Sequence, residues 1–148
     1  MLRSAFIVAA ALLFSSQLQA KTCELSIDST DQMTFATKEL KVEAGCTEVK
    51  LTLNHTGSLA KTVMGHNWVL SKTSDYQAIG MDAPKAGIEA NYVPKDDARV
   101  IASTKIIGGG ASDTITFSTA GLEKGGDYTF FCSFPGHWAL MNGKLIVE

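Results

Sequence analysis

What this 148-residue chain has little of already narrows its reading. It has no marked excess of either charge. Its 13 basic side chains face 15 acidic ones for a formal charge of −2, which excludes a polyanion binder that works by bulk charge. Beyond residue 20 there is no hydrophobic stretch that could span a bilayer, which takes about 20 residues. Internal repeats, low-complexity tracts and linkers are lacking, so residues 21–148 read as one domain, long enough to bury a core. Charged residues are only 19% against 45% apolar, which excludes global disorder. Gly108-Gly109-Gly110 lacks the Lys-Ser/Thr of a phosphate loop and reads as a hairpin turn. Cysteine and histidine are scarce, three of each, and an odd cysteine count leaves one over after any pairing.

The one long apolar run is at the start. Arg3 precedes ten apolar residues, Ala5 to Phe14, and Ser15-Ser16-Gln17 and Leu18-Gln19-Ala20 follow. This is the three-part pattern of a secretory signal peptide, with cleavage expected after Ala20. An uncleaved interfacial anchor is the alternative. Cleavage removes only one charge, that of Arg3, and delivers residues 21–148 to a compartment where disulfides persist.

The remainder reads as strands. Apolar and polar residues alternate in Cys23–Asp28, Lys38–Glu43, Thr47–Leu53, Asp113–Ser118 and Lys144–Glu148, the period of half-buried strands. Asn67–Ser71, Arg99–Ala102 and Asp127–Cys132 are more continuously apolar, as central strands of a two-layer core are. About eight short strands with glycine turns between them predict an all-β Greek-key sandwich or barrel. Ser71 to Asp97 breaks the pattern and reads as an inserted flap. Ser74 and Asp75 are placed to cap a short helix through Tyr76, Ile79 and Met81. Gly80 and Pro84 predict that this helix is short or broken.

The chemistry gathers near the C-terminus. Cys132 ends an apolar strand, Pro135 and Gly136 make a tight turn, His137 follows, and Met141 comes four residues later. Thiolate, imidazole and thioether thus share one loop between two strands. His66 stands just before another apolar strand. A His₂Cys set with a distant methionine is the donor set of a blue-copper centre. Zinc prefers four strong tetrahedral ligands, and a thioether is a poor fourth. A cysteine nucleophile activated by His137 is the rival reading, and it leaves Met141 and His66 unexplained.

Met-Gly-His-Asn-Trp at 64–68 and Phe-Phe-Cys-x-Phe-Pro-Gly-His-x-Ala-Leu-Met at 130–141, with Asp-Asp-x-Arg-Val-Ile-Ala at 96–102, resemble the azurins. These are cupredoxins that carry electrons in the bacterial periplasm, and the resemblance covers the whole of residues 21–148. It implies a cupredoxin fold and one type 1 copper held by His66, Cys132 and His137, with Met141 axial. The Gly65 carbonyl is implied on the opposite axial side. Asn67 is implied to tie the two ligand loops together, and the Phe134 amide to donate to the Cys132 sulfur. His55, the third histidine, reads as a structural or partly buried residue; a histidine matching it lies near the copper in azurins and can titrate near neutral pH, so a modest pH effect is the alternative. The resemblance also implies a flat apolar docking face around His137, here Met33, Leu59, Val63, Met64, Pro135, Gly136 and Ala139. The implied partners are redox proteins met transiently: c-type cytochromes, nitrite reductases or amine dehydrogenases. The carrier itself is expected to be a monomer. In an exported protein Cys23 and Cys46 are expected to pair, which leaves Cys132 as the ligand.

Two departures from the azurin pattern stand out. Trp138 follows His137, where azurins usually carry a small hydroxyl residue, so a bulky ring is expected beside the electron port. Thr56 and Ala60 stand where prolines are expected. Two other classes fit less well. A copper oxidase or nitrite reductase needs a second, histidine-rich copper site, and only His55 is left for one. A copper-storage protein would favour exchangeable clusters such as Cys-x-x-Cys, which the chain lacks.

Overall fold

Strand β4 (Glu48–His55) shows how alternation becomes structure: Val49, Leu51, Leu53 and His55 all turn inward and are buried. His55 therefore completes an inward-facing row begun by aliphatic residues. The computed structural model describes residues 20–148, so the expected signal peptide lies outside the described residues except for Ala20. Among the described residues no helix is long and apolar enough to cross a membrane.

Among the described residues nine strands form two sheets. The first has the order β2 (Thr34–Phe35), β1 (Thr22–Thr30), β4, β7 (Ser112–Ser118). The second has the order β3 (Glu39–Val42), β9 (Asn142–Val147), β8 (Tyr128–Phe131), β5 (Val69–Lys72), β6 (Val100–Ser103). β1 runs parallel to β4, and β3 parallel to β9; the other pairings are antiparallel. The sheets remain an open sandwich with edges at β2, β7, β3 and β6, so the closed-barrel alternative is not realised. Nine strands replace the expected eight or so because the two-residue β2 carries no periodicity to read.

The inner faces meet in one core. Ile27, Val49, Leu51 and Leu53 of the first sheet pack against Leu40, Val42, Leu70, Phe130, Leu145 and Val147 of the second. Each such side chain contributes roughly 1.5–3 kcal/mol when fully buried. Trp68 stacks near Phe130, with ring centroids 6.1 Å apart. Its indole Nε1 has no hydrogen-bond partner, an exception to the rule that buried donors are satisfied.

The Ser71–Asp97 segment links β5 to β6 as a flap, but its helix is longer than the sequence implies. Helix α2 (Tyr76–Ala86) runs for 11 residues straight through Gly80 and Pro84. Tertiary packing overrides the breakers: Ile79 and Ala83 are fully buried, and Ile79 belongs to a cluster with Val69 and Phe131. Asp75 occupies the cap position without a capping side-chain bond, and Met81 points outward, 62% exposed. Arg99 holds the helix from the side, donating to Asp82 at 3.2 Å and to Asp97 at 2.6 Å. A short helix α1 (Lys61–Met64), unannounced by any pattern, precedes His66. The Gly108–Gly110 turn is not a hairpin. It precedes β7 in one sheet while β6 belongs to the other, and Gly110 N–H donates to the His55 carbonyl.

Candidate metal centre

The loop after β8 is shaped by its own backbone. Cys132 N–H donates to the Met141 carbonyl at 2.9 Å, which closes the loop at its base. His137 N–H donates to Phe134 O, and the N–H groups of Leu140 and Met141 both donate to His137 O. Gly136 sits at φ +83°, a conformation glycine adopts without steric cost. The loop thus presents Cys132 and His137 to one point, with Met141 fully buried beside them in sequence.

The second approach comes from α1. The chain leaves that helix at Gly65, where an added Cβ would strike the Lys61 carbonyl and lie 2.7 Å from Ile106 Cγ2. Only glycine lets the backbone pass here, and its carbonyl oxygen comes within 4.0 Å of Cys132 Sγ. His66 is pinned at both ends. Its backbone exchanges two hydrogen bonds with Ile107, and its Nε2 lies 2.8 Å from Thr30 O. A carbonyl only accepts, so Nε2 carries the proton and Nδ1 turns its lone pair inward.

The three donors form a nearly regular triangle. Cys132 Sγ is 3.7 Å from His66 Nδ1 and 3.6 Å from His137 Nδ1, and the two nitrogens are 3.3 Å apart. The point equidistant from all three lies about 2 Å from each, the length of a metal–nitrogen bond. All three residues are buried, and His137 is only 3% exposed. Two imidazoles and one soft sulfur in a trigonal set suit copper, so the residues present fit that metal.

Electrostatics without a cation favour neutral groups. Burial lowers His66 to about 4, despite its bond to Thr30. Burial also lowers His137 to about 4, and the neighbouring His66 adds to the effect. Burial pushes the Cys132 thiol up to about 12, while the N–H groups of Asn67 and Phe134, aimed at the sulfur, pull it down. A metal cation reverses the balance at sulfur, since a coordinated thiol is deprotonated outright.

Behind the donors stands a buried polar framework. Asn67 Oδ1 accepts from Ser133 N–H at 2.8 Å, and its Nδ2 donates to Ser133 Oγ and to Asn91 O. It therefore connects the His66 segment, the Cys132 loop and the flap. Asn91 had no signal in the sequence. It sits in the left-handed region at φ 56°, and its Oδ1 accepts from Ile106 N–H. Thr30 was equally invisible, because it acts through its carbonyl. His55 stacks on His66 with centroids 4.6 Å apart. Its Nε2 lies 2.8 Å from Met64 O and its Nδ1 accepts from Gly57 N–H, so both ring nitrogens have partners.

The residues of the expected docking face differ in how far they reach the surface. Val63 is 61% exposed, and Leu59, Gly136 and Ala139 are also exposed. Met64 and Pro135 are half-buried, and Met33 packs against the core. Trp138 does not stand beside His137 as a free ring. It turns away to pack against Gly80 and Tyr76 of α2. A second cysteine group, Cys23, Cys46 and Glu43, lies elsewhere, and there the two thiols are joined in a disulfide with Cα atoms 5.8 Å apart.

Comparison with known proteins agrees with this geometry. A family model described as copper binding proteins, plastocyanin/azurin family, matches residues 21–148. The chain is 51% identical over 132 residues to the azurin of Bordetella pertussis strain Tohama I, covering 89% of this chain and 88% of that one. It is 53% identical over 123 residues to azurin-1 of Alcaligenes xylosoxydans xylosoxydans, covering 83% and 95%. In three dimensions it is similar to azurin Az-iso2 of Methylomonas sp. strain J, with a TM-score of 0.82, 43% identity, and coverage of 85% and 98%. A buried His₂Cys triangle, an open cupredoxin sandwich and these relatives converge: the chain belongs to the plastocyanin/azurin family of copper-binding proteins.

Proposed function

We propose that this blue-copper electron carrier works in the periplasm, exchanging single electrons with c-type cytochromes, nitrite reductases or amine dehydrogenases. The observation that carries the reading is the buried triangle of His66 Nδ1, His137 Nδ1 and Cys132 Sγ. The chain is an electron-transfer protein and not an enzyme. In this reading His66, Cys132 and His137 would hold the copper, with Met141 and the Gly65 carbonyl as weaker donors. When bound, copper supplies a one-electron Cu(II)/Cu(I) couple.

The chain's own residues make that couple usable. Thr30 O fixes the His66 tautomer, so its lone pair needs no reorientation. Asn67 and Phe134 N–H groups drain charge from the Cys132 sulfur, a lever on potential. The Cys132–Met141 backbone bond and the Asn67 framework keep the donors in place whatever the charge at their centre. His137, on a loop with exposed Gly136 and Ala139, is the natural port for electrons. Val63 and Leu59 extend an apolar rim suited to a small contact that releases quickly. Export is supported by the signal pattern of residues 1–20 and by the disulfide, which persists in oxidising compartments.

Adding Cu(II) to the purified protein tests the site. An intense blue thiolate-to-copper band with the matching EPR spectrum is expected, and its absence overturns the ligand set. Met141→Ala is expected to keep the band and shift the potential; an unmoved potential removes Met141 from the axial role. Mass spectrometry of the periplasmic fraction tests processing, with an N-terminus at Lys21 expected.

A further inference from the structure

The flap helix carries a notch that receives one side chain of the ligand loop. Gly80 lies buried in the interior of α2, a place where glycine is a poor helix former. A methyl group there would lie 2.5 Å from Trp138 Cγ, 2.7 Å from Cδ1 and 2.9 Å from Cβ. The indole therefore rests against the bare helix backbone. Tyr76 meets it edge-on with centroids 6.3 Å apart, and Val69, Ile79 and Phe131 form the apolar cluster it packs on. Trp138 is the residue directly after His137, and its carbonyl accepts from Asn142 Nδ2 at 3.0 Å. The helix beneath is held in turn by Arg99 through Asp82 and Asp97.

We propose that Trp138 is a positioning residue: its ring, seated in the Gly80 notch of α2, locks the ligand loop to the flap and fixes where the His137 imidazole stands. The inference rests on His137 being a copper ligand. It accounts for two otherwise separate oddities, a glycine inside a buried helix face and a tryptophan beside an electron port. The ring is too wide to coexist with any Cβ at position 80.

A double-variant cycle tests the lock, first in metal-free protein. Amide exchange at His137, Leu140 and Met141 is expected to accelerate in Gly80→Ala and in Trp138→Ser. In the Trp138→Ser background, Gly80→Ala is expected to add nothing, because the clash is gone. Trp138→Phe should restore part of the protection. In copper-loaded protein, Gly80→Ala should release copper to a chelator roughly tenfold faster and shift the reduction potential, with both effects absent in the Trp138→Ser background. Equal effects of Gly80→Ala in the two backgrounds, or unchanged exchange and potential in both, overturn the lock. If the unaltered protein forms no blue site, the ligand reading fails, while the metal-free cycle still decides whether the lock exists.

Discussion

The molecule gathers cysteine in two places, and it treats them in opposite ways. At one end Cys23, near the start of β1, and Cys46, just before β4, close a disulfide beside exposed Glu43. At the other end Cys132 is a free thiol, fully buried between two imidazoles. The register places the two clusters at opposite ends of the same strand pair. Cys23 pairs with Val49 at the head of β4, whereas Ser29 pairs with His55 at its foot, against His66. Six residue steps of strand put about 20 Å between them. The difference teaches that sulfur's role follows from its company. A thiol near another thiol becomes a staple. A thiol with no second thiol in reach and flanked by two imidazole nitrogens stays free to bind a metal.

The sharpest way to break this contrast is to remove the buried sulfur. Cys132→Ser is expected to abolish the blue band entirely while leaving circular dichroism unchanged; any retained band ends the ligand assignment. The converse variant, Cys23→Ser with Cys46→Ser, should keep the band and lose about 3 kcal/mol of stability from the opened loop of about 24 residues. Urea denaturation of the metal-free protein measures it, and a lost colour here would mean that the two ends are not independent.

Asn67→Ala tests the framework at the copper end. It leaves Ser133 N–H buried without its acceptor, which should cost about 1–3 kcal/mol and shift the potential. A stability loss with an unmoved potential would make Asn67 merely structural. The smallest effects concern acids at the two ends. The Ser58 N–H, with help from Leu59 N–H, holds the Asp31 carboxyl below the usual carboxylate range near His55. The Lys21 ammonium lowers Glu43 beside the disulfide. A lowered acid gives stability that is complete above its unfolded value and is lost as pH falls through its folded value. Asp31→Asn should therefore lower stability near neutral pH and converge with the unaltered protein in acid. Glu43→Gln should do so more weakly, and salt should erase the difference because that pair is exposed.

Much of the sandwich was legible because strand alternation is local: Val49, Leu51 and Leu53 announce β4 on their own. The flap was legible only as an interruption. Gly80 and Pro84 argue against a long helix when read locally, and the helix forms because Ile79 and Ala83 find a buried surface on β5 and β8. The residues proposed for docking could be read from the sequence only as apolar side chains on segments flanking the ligand loops. Which of them reach the surface could not be read there: Met33 and Val63 look alike in the sequence, yet one packs against the core and the other projects.

By itself the sequence determined that Cys132, His137 and Met141 share one short loop with no carboxylate among them. It also determined the two-layer β architecture and the odd cysteine. Only the tertiary structure decided which nitrogen of His66 faces the centre, because that depends on a carbonyl 36 residues away at Thr30. Only packing seated Trp138 in Gly80 rather than beside the port, and only packing brought Asn91 from the flap to Asn67. The reason is physical. Residue type and short spacing fix what a segment can offer, whereas burial, tautomer and contact depend on partners that the chain meets only after it folds.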